Sequence, residues 1–136
     1  MKLIIHTDGG ARGNPGPAAI GVVIEEETSD KRHETKIEFG KRIGETTNNV
    51  AEYTAVLEAL RKIKEKDISQ TQFYLDSTLV VNQLNGLFKI KDARLRGLAM
   101  EIRILEQEVG GSISYTAVPR EQNRRADYFV NRALDE

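Results

Sequence analysis

Four carboxylates in this chain sit where carboxylates are unusual. Asp8 follows a mostly β-favouring run, Leu3 to Thr7, and is followed by two glycines. Asp76 ends another apolar run, FYLD. Glu52 lies in the first turns of a helical segment, beside Val50 and Tyr53. Asp127 lies near the start of the last one, next to Ala126 and three residues from Val130. Acids on a solvated surface are ordinary. Acids at the carboxyl ends of strands are less so, because open sheets build their sites there. If the first and fourth strands are adjacent and parallel, Asp8 and Asp76 stand side by side. Clustered carboxylates repel and raise each other's pKa, and a divalent cation relieves the repulsion. Oxygen donors without imidazole or thiolate suit hard ions such as Mg²⁺ or Mn²⁺. Two such ions about 4 Å apart activate a water and stabilise the leaving oxygen in phosphodiester hydrolysis. Taken singly, each acid is equally what a turn or a helix start carries, and spacing alone does not decide between the two.

The elements that must position these acids follow from periodicity. Leu3 to Thr7 reads as a first strand ending at Asp8, and the stretch Gly9–Pro17, dense in glycine and proline, reads as a loop. Ala19 to Glu26 is a second strand, with Ile20, Val22 and Ile24 on one face. A polar bend at Ser29–Lys31 joins it to a third, where Ile37, Phe39 and Ile43 keep period-two spacing. So short a bend implies an antiparallel hairpin. From Asn48 the period becomes helical, through Tyr53, Val56, Leu57, Leu60 and Ile63, with Thr46 or Thr47 as N-cap. Phe73 to Asp76 is a brief strand and Ser77 to Leu87 a short helix. A longer helix carries Leu95, Leu98, Ile102, Leu105 and Val109 and closes at Gly110–Gly111; Ile113 to Val118 is a fifth strand. Ala126, Phe129, Val130, Ala133 and Leu134 mark a final helix at i, i+3, i+4, i+7 and i+8. The order βββαβααβα is an α/β mixed sheet with helices packed on its faces.

Composition bounds what this fold can do. The 136 residues suit one domain, 1–136, with a real core and little room for a second. No cysteine is present, which removes disulfides, thiolate zinc sites and cysteine nucleophiles. The start, MKLIIHTDGG, reads as neither a signal peptide nor a membrane span, so a soluble, cytoplasmic protein is expected, and a monomer because no long exposed apolar stripe is evident. Lys and Arg number 20 against 21 Asp and Glu, for a formal charge of −1. Domains that grip nucleic acid by overall charge have a pI above about 9, whereas this one computes to 6.2. Any polyanion must therefore be met by local patches, backbone amides or bound metal.

Four segments, in order, resemble type 1 ribonuclease H: TDGGARGNPGP (Thr7–Pro17), TTNNVAEYTAVLEAL (Thr46–Leu60), LDSTLVVNQLNG (Leu75–Gly86) and VPREQNRRADYFVNRAL (Val118–Leu134). The resemblance implies the ribonuclease H fold, a five-stranded mixed sheet ordered 3-2-1-4-5 and flanked by helices on both faces. It implies endonucleolytic cleavage of the RNA strand of an RNA–DNA hybrid, leaving 5′-phosphate and 3′-hydroxyl ends. By position, it makes Asp8, Glu52, Asp76 and Asp127 the catalytic, metal-binding acids. The resemblance further implies that Asp8 and Asp76 would bridge or share two Mg²⁺ ions, with Glu52 on one and Asp127 on the other, and Mn²⁺ as a possible substitute. The substrate contacts it implies are Gly9, Gly10, Arg12 and Gly13 through a loop that approaches the RNA strand, with Asn14 beside them. Asn48 and Asn49 match minor-groove contacts and Thr47 a DNA-phosphate contact, while Ser77 and Thr78 follow the strand-end acid. For Asn14 the alternative is a turn role, and for Asn48 and Asn49 it is helix capping.

Three departures narrow the transfer. The basic, tryptophan-bearing protrusion of some members is absent: Gly86 to Leu95 is short, and the chain has no Trp. Lys89, Lys91, Arg94 and Arg96 form the remaining basic edge, either a phosphate contact or a solvated helix start. Neither His6 nor His33 matches the loop histidine that assists product release in many members; that loop is Pro119–Arg125 here. Glu45 stands where some relatives have an arginine of the DNA-phosphate pocket, with Thr47, Lys41 or Arg42 nearby to supply part of it. Double-stranded RNA therefore stays open as an alternative substrate, and a catalytically silent hybrid-binding module as an alternative function.

Overall fold

A computed structural model describes residues 1–136. Three strands, β1 (Lys2–Ala11), β2 (Gly16–Glu27) and β3 (His33–Thr46), lead into helix α1 (Asn48–Ile63). Then follow β4 (Gln70–Leu75), α2 (Thr78–Leu84), α3 (Ala93–Val109), β5 (Ser112–Ala117), one 3-10 turn (Arg120–Gln122) and α4 (Arg124–Asp135). The five strands form one sheet in the order β3-β2-β1-β4-β5. β1 pairs antiparallel with β2, and β2 with β3. β1 pairs parallel with β4, and β4 with β5. No helix is long and apolar enough to cross a membrane.

Alternation along β1 and β2 divides the molecule into two layers. Leu3 and Ile5 of β1, with Val22 and Ile24 of β2, enter a cluster of 23 buried residues under α1 and α3. Ala19, on the opposite face of β2, meets Val130, Ala133 and Leu134 of α4 in a cluster of four. The helical spacing read in α4 is fully obeyed: Ala126, Phe129, Val130, Ala133 and Leu134 are its buried residues. Three helices start at side-chain caps of one design, in which an oxygen accepts the N–H three residues on. Thr47 caps α1 through Val50 N at 3.2 Å, Ser77 caps α2 through Val80 N at 3.3 Å, and Asp92 caps α3 through Leu95 N at 3.0 Å.

One expectation needs correction. The segment after Asp8 is not a loop from Gly9 to Pro17. β1 continues through Ala11, with Gly9, Gly10 and Ala11 paired to Ile20, Ala19 and Ala18. Only Arg12 to Pro15 turn, and β2 begins at Gly16. Glycine normally weakens a strand, but here the ladder to β2 carries the backbone onward. The absent side chains serve helix packing instead.

Candidate active site

The parallel register sets two of the acids level. His6 opposite Tyr74 is the last β1–β4 pair, and each precedes its acid by two residues. Asp8 and Asp76 therefore leave the two adjacent strands side by side at their carboxyl ends. β4 stops at Leu75, while β1 runs on with β2 as its only neighbour, so the sheet opens between them.

α1 delivers the third acid by close approach. A Cβ on Gly9 would overlap the Ala51 carbonyl and the Glu52 nitrogen. Only glycine lets the backbone of α1 settle this near to β1, and Glu52 then reaches the cluster from the core side. Asp8, Glu52 and Asp76 each offer an oxygen, all within 4.8 Å of one another.

α4 delivers Asp127 from the other face. A Cβ on Gly21 would overlap the Ala126 carbonyl oxygen, so this helix too is seated on bare backbone. Asn123 fastens its start. The residue is 1% exposed, and its Nδ2 donates to the Thr7 carbonyl, next to Asp8, at 2.9 Å. Asp127 N in turn donates to the Asn123 carbonyl at 3.2 Å. Sequence reading missed Asn123, because a polar residue in a loop carries no signal of burial. Asp127 lines the same cleft as the other three acids but lies outside their 4.8 Å group.

The electrostatics are those of a cluster assembled to receive a cation. Burial, and then the Asp76 charge, push the Asp8 carboxyl up to about 7. Burial, then Asp8 and Asp76, raise Glu52 well above the carboxylate range. Each cause disfavours the charged form. Glu52 Oε2 is buried with no hydrogen-bond partner, an arrangement that native proteins avoid unless something else fills the place. A hard divalent ion fits this all-carboxylate donor set.

The cleft above the acids has a volume of about 410 Å³. It brings together Gly9, Gly10, Arg12, Asn48, Asn49 and Ser77 from the expected contacts. Asn14 and Thr47 line a neighbouring groove of about 510 Å³, with Asn48, Asn49 and Arg94. Gly13, Thr78, Lys89 and Lys91 line neither. Three of these residues also work within the fold. Arg12 pairs with Asp135 at 2.7 Å. Asn48 Oδ1 accepts from Ala11 N at 2.8 Å, and Asn14 Oδ1 accepts from Asn48 N at 3.0 Å. The Asn14 side chain thus ties the turn to the start of α1, and α1 is capped by Thr47, not by Asn48. Lys41 pairs with Glu58 at 3.9 Å and Arg42 donates to the Glu136 carbonyl, so both are engaged away from the Thr47 groove.

The arginines divide sharply. Arg12, Arg32, Arg61, Arg103, Arg125 and Arg132 pair with carboxylates. Arg42 and Arg96 donate to main-chain carbonyls. The remaining three are Arg94, in the Thr47 groove, Arg120, in the acid cleft, and Arg124, in a groove adjoining it.

Comparison with known proteins agrees with this layout. A family model described as reverse transcriptase-like matches residues 6–133. The bifunctional protein Rv2228c of Mycobacterium tuberculosis is 39% identical over 99% of this chain, which spans only 36% of that protein's length. Ribonuclease H of Clostridium botulinum is 39% identical, with 99% of this chain and 97% of that protein covered. Among solved structures, LC11-RNase H1 in complex with an RNA/DNA hybrid superposes with a TM-score of 0.89 at 42% identity, covering 98% of this chain and 96% of that one. RNase H1 of Halobacterium salinarum gives 0.89 at 38% identity, covering 99% and 98%. With the strand order, the family model and a relative matched over nearly its full length all in accord, the chain belongs to the type 1 ribonuclease H family.

Proposed function

We propose that this chain is an endoribonuclease that hydrolyses the RNA strand of RNA–DNA hybrids, leaving 5′-phosphate and 3′-hydroxyl ends. The observation that carries the reading is the Asp8–Glu52–Asp76 cluster: three carboxylates from three elements within 4.8 Å, one with a buried oxygen that nothing in the chain satisfies. Asp8, Glu52, Asp76 and Asp127 would hold two Mg²⁺ ions, with Mn²⁺ as a substitute. Bound there, such ions supply an activated water and stabilise the leaving 3′-oxygen.

The chain's own residues orient the substrate. Asn14 and Asn48 spend their amide oxygens inside the protein, which leaves their NH₂ groups as donors to a nucleic acid. Asn49, Ser77 and the backbone of Gly9 and Gly10 border the same cleft, where contact to 2′-hydroxyls distinguishes RNA from DNA. The Thr47 hydroxyl accepts from Val50 N and keeps its proton for a phosphate oxygen of the DNA strand. Glu45 cannot bind that phosphate, but Arg94 reaches the same groove from the first turn of α3. Gly13, Thr78, Lys89 and Lys91 would contribute at the periphery, the two lysines as exposed cations without carboxylate partners. LC11-RNase H1, 42% identical, was solved with an RNA/DNA hybrid, which supports the same substrate here. The setting proposed is the cytoplasm, with the domain acting as a monomer.

The test is cleavage of matched RNA–DNA hybrid, duplex RNA and duplex DNA under a Mg²⁺ and Mn²⁺ titration. The hybrid's RNA strand is expected to be cut, and EDTA or Asp76→Asn to stop it. A hybrid left intact in both ions overturns the proposal. Tight hybrid binding indifferent to Mg²⁺, without products over hours, identifies a silent binding module instead. The exposed Glu45 favours one second reading, cleavage of double-stranded RNA, and equal rates on the two RNA-containing duplexes would establish it.

A further inference from the structure

The acid cleft does not end at Asp127. It continues over the outer face of α4 as a groove of about 590 Å³ lined by Arg120, Glu121, Arg124, Asp127, Tyr128 and Asn131. Arg120, Asp127 and Asn131 belong to both spaces, so the two are continuous. Arg124, Tyr128 and Asn131 follow one another at i, i+4 and i+7 and form a single stripe of the helix. Arg120 reaches toward that stripe from the 3-10 turn before it.

The chemistry of the stripe is unlike that of the surface around it. Arg120 and Arg124 have no acceptor in the chain, although Arg125 and Arg132 on the same helix are paired with Glu38 and Glu136. Tyr128 is a large ring left 47% exposed. It is held rather than loose: Arg125 lies over it at 5.2 Å, and that guanidinium is itself fixed to Glu38 at 2.8 Å. Asn131 donates to the Asp127 carbonyl at 3.1 Å and keeps its amide oxygen free. Two acids oppose the arginines. Asp127 would be neutralised by the metal it is proposed to bind, so only Glu121 remains as an uncompensated negative charge. Free guanidiniums beside a fixed, exposed aromatic ring are what an unpaired polynucleotide strand requires, because every base can stack and every linkage carries a phosphate.

We infer that this groove binds an unpaired segment of the cleaved strand where it runs on from the hybrid, with phosphates on Arg120 and Arg124 and a base against Tyr128. The inference rests on the proposed hybrid substrate. A base still stacked in a duplex cannot reach the ring, so the occupant is a single-stranded tail.

The experiment compares a blunt RNA–DNA hybrid with hybrids whose RNA carries an unpaired oligouridine tail at one end or the other, and with a DNA-tailed control. For the wild-type protein, an RNA tail at one end is expected to lower KM by at least about fivefold, the lower bound for stacking one base on an aromatic side chain. Tyr128→Ala and Arg124→Ala should each bring the tailed-to-blunt KM ratio back toward one. Lys66→Ala, which removes a cation lying before β4, should leave that ratio intact. The same ratios are read as binding by fluorescence anisotropy with Asp76→Asn in Mg²⁺, so the result does not depend on turnover. A wild-type protein that cuts blunt and tailed hybrids with equal KM overturns the groove assignment. So do variants that weaken both substrates equally, since they would be touching paired strand. If nothing is cut but the tail still tightens binding through Tyr128, the groove stands and the hydrolase reading falls. A DNA tail as effective as RNA keeps the site and makes it indifferent to the sugar.

Discussion

α1 and α4 carry acids to one cleft from opposite faces of the sheet, yet they are held by very different means. α1 sits on a cluster of 23 buried residues, and its Glu52 is 7% exposed. α4 rests on a cluster of four, supplemented by the bare backbone of Gly21 and Gly40, the Arg125–Glu38 pair and the Asn123 side chain. Glu52 cannot move without opening the core, whereas Asp127 is only half-buried and stands outside the tight acid group. The cleft therefore has one half built on the large core, by β1, β4 and α1, and one half carried by α4 over the smaller cluster.

The largest expected effect tests the half built on the large core. Asp76→Asn should lower kcat on a hybrid by on the order of 10³-fold or more, as loss of a charge-stabilising group does elsewhere. Asp127→Asn should cost less, roughly 10- to 100-fold. Equal losses in a single-turnover assay would abolish the distinction between the halves.

Next comes the fastening of α4. Asn123→Ala removes the donor to the Thr7 carbonyl and should lower Mg²⁺ affinity about 10-fold or more, as loss of an outer positioning group does. Stability should fall by roughly 1–3 kcal/mol, the cost of a buried group left unpaired. Calorimetric Mg²⁺ titration and urea unfolding read the two separately, and an unchanged metal affinity would reduce Asn123 to a structural role.

Neighbouring glycines should then behave oppositely. Gly9→Ala forces a Cβ into the Ala51 carbonyl and should destabilise by more than about 2 kcal/mol, in the range for enforced overpacking. Gly10→Ala meets only Val130 Cγ1 at 3.7 Å, an ordinary contact, and should stay within about 1 kcal/mol. Urea midpoints that rank the two variants the other way would contradict the close approach of α1.

The smallest effect is on pH. Asp8, pushed up to about 7, and Glu52, raised in the same direction, hold protons in the fold that they would release when unfolded. Their contribution to stability is thus full below the ordinary carboxylate range and lost as pH rises through about 7. In EDTA, Tm should fall by several degrees between about pH 4 and about pH 8. Asp8→Asn should flatten the slope, and Mg²⁺ should restore Tm at the upper end. A metal-free protein whose Tm rises over that interval would contradict the assigned charges.

Much of this was legible in the chain before any coordinates. The element order βββαβααβα, the antiparallel β2–β3 hairpin and the buried stripe of α4 all follow from periodicity, which acts over a few residues. The four acids stood out because carboxylates at strand ends and on apolar helix faces conflict with their surroundings. Other features were misread or invisible. Gly9 and Gly10 look like loop residues, yet they belong to β1, since pairing with Ala19 and Ile20 outweighs their weak strand preference. Asn123 looks like any loop polar residue until it is found under Thr7. Arg120 and Arg124 look no different from Arg125 and Arg132 in sequence.

The sequence by itself therefore determined which elements form, which residues face a core, and that hard-metal chemistry by carboxylates was available. It also determined that net charge could not hold a polyanion. Only the tertiary structure decided that Asp8 and Asp76 leave their strands level, that Glu52 joins them within 4.8 Å while Asp127 meets Asp8 from the other face of the sheet, and which arginines are left without partners. The physical reason is range. Periodicity and capping are settled between residues a turn or two apart, whereas desolvation, ion pairing and strand register depend on groups that are distant along the chain and meet only when the sheet has closed.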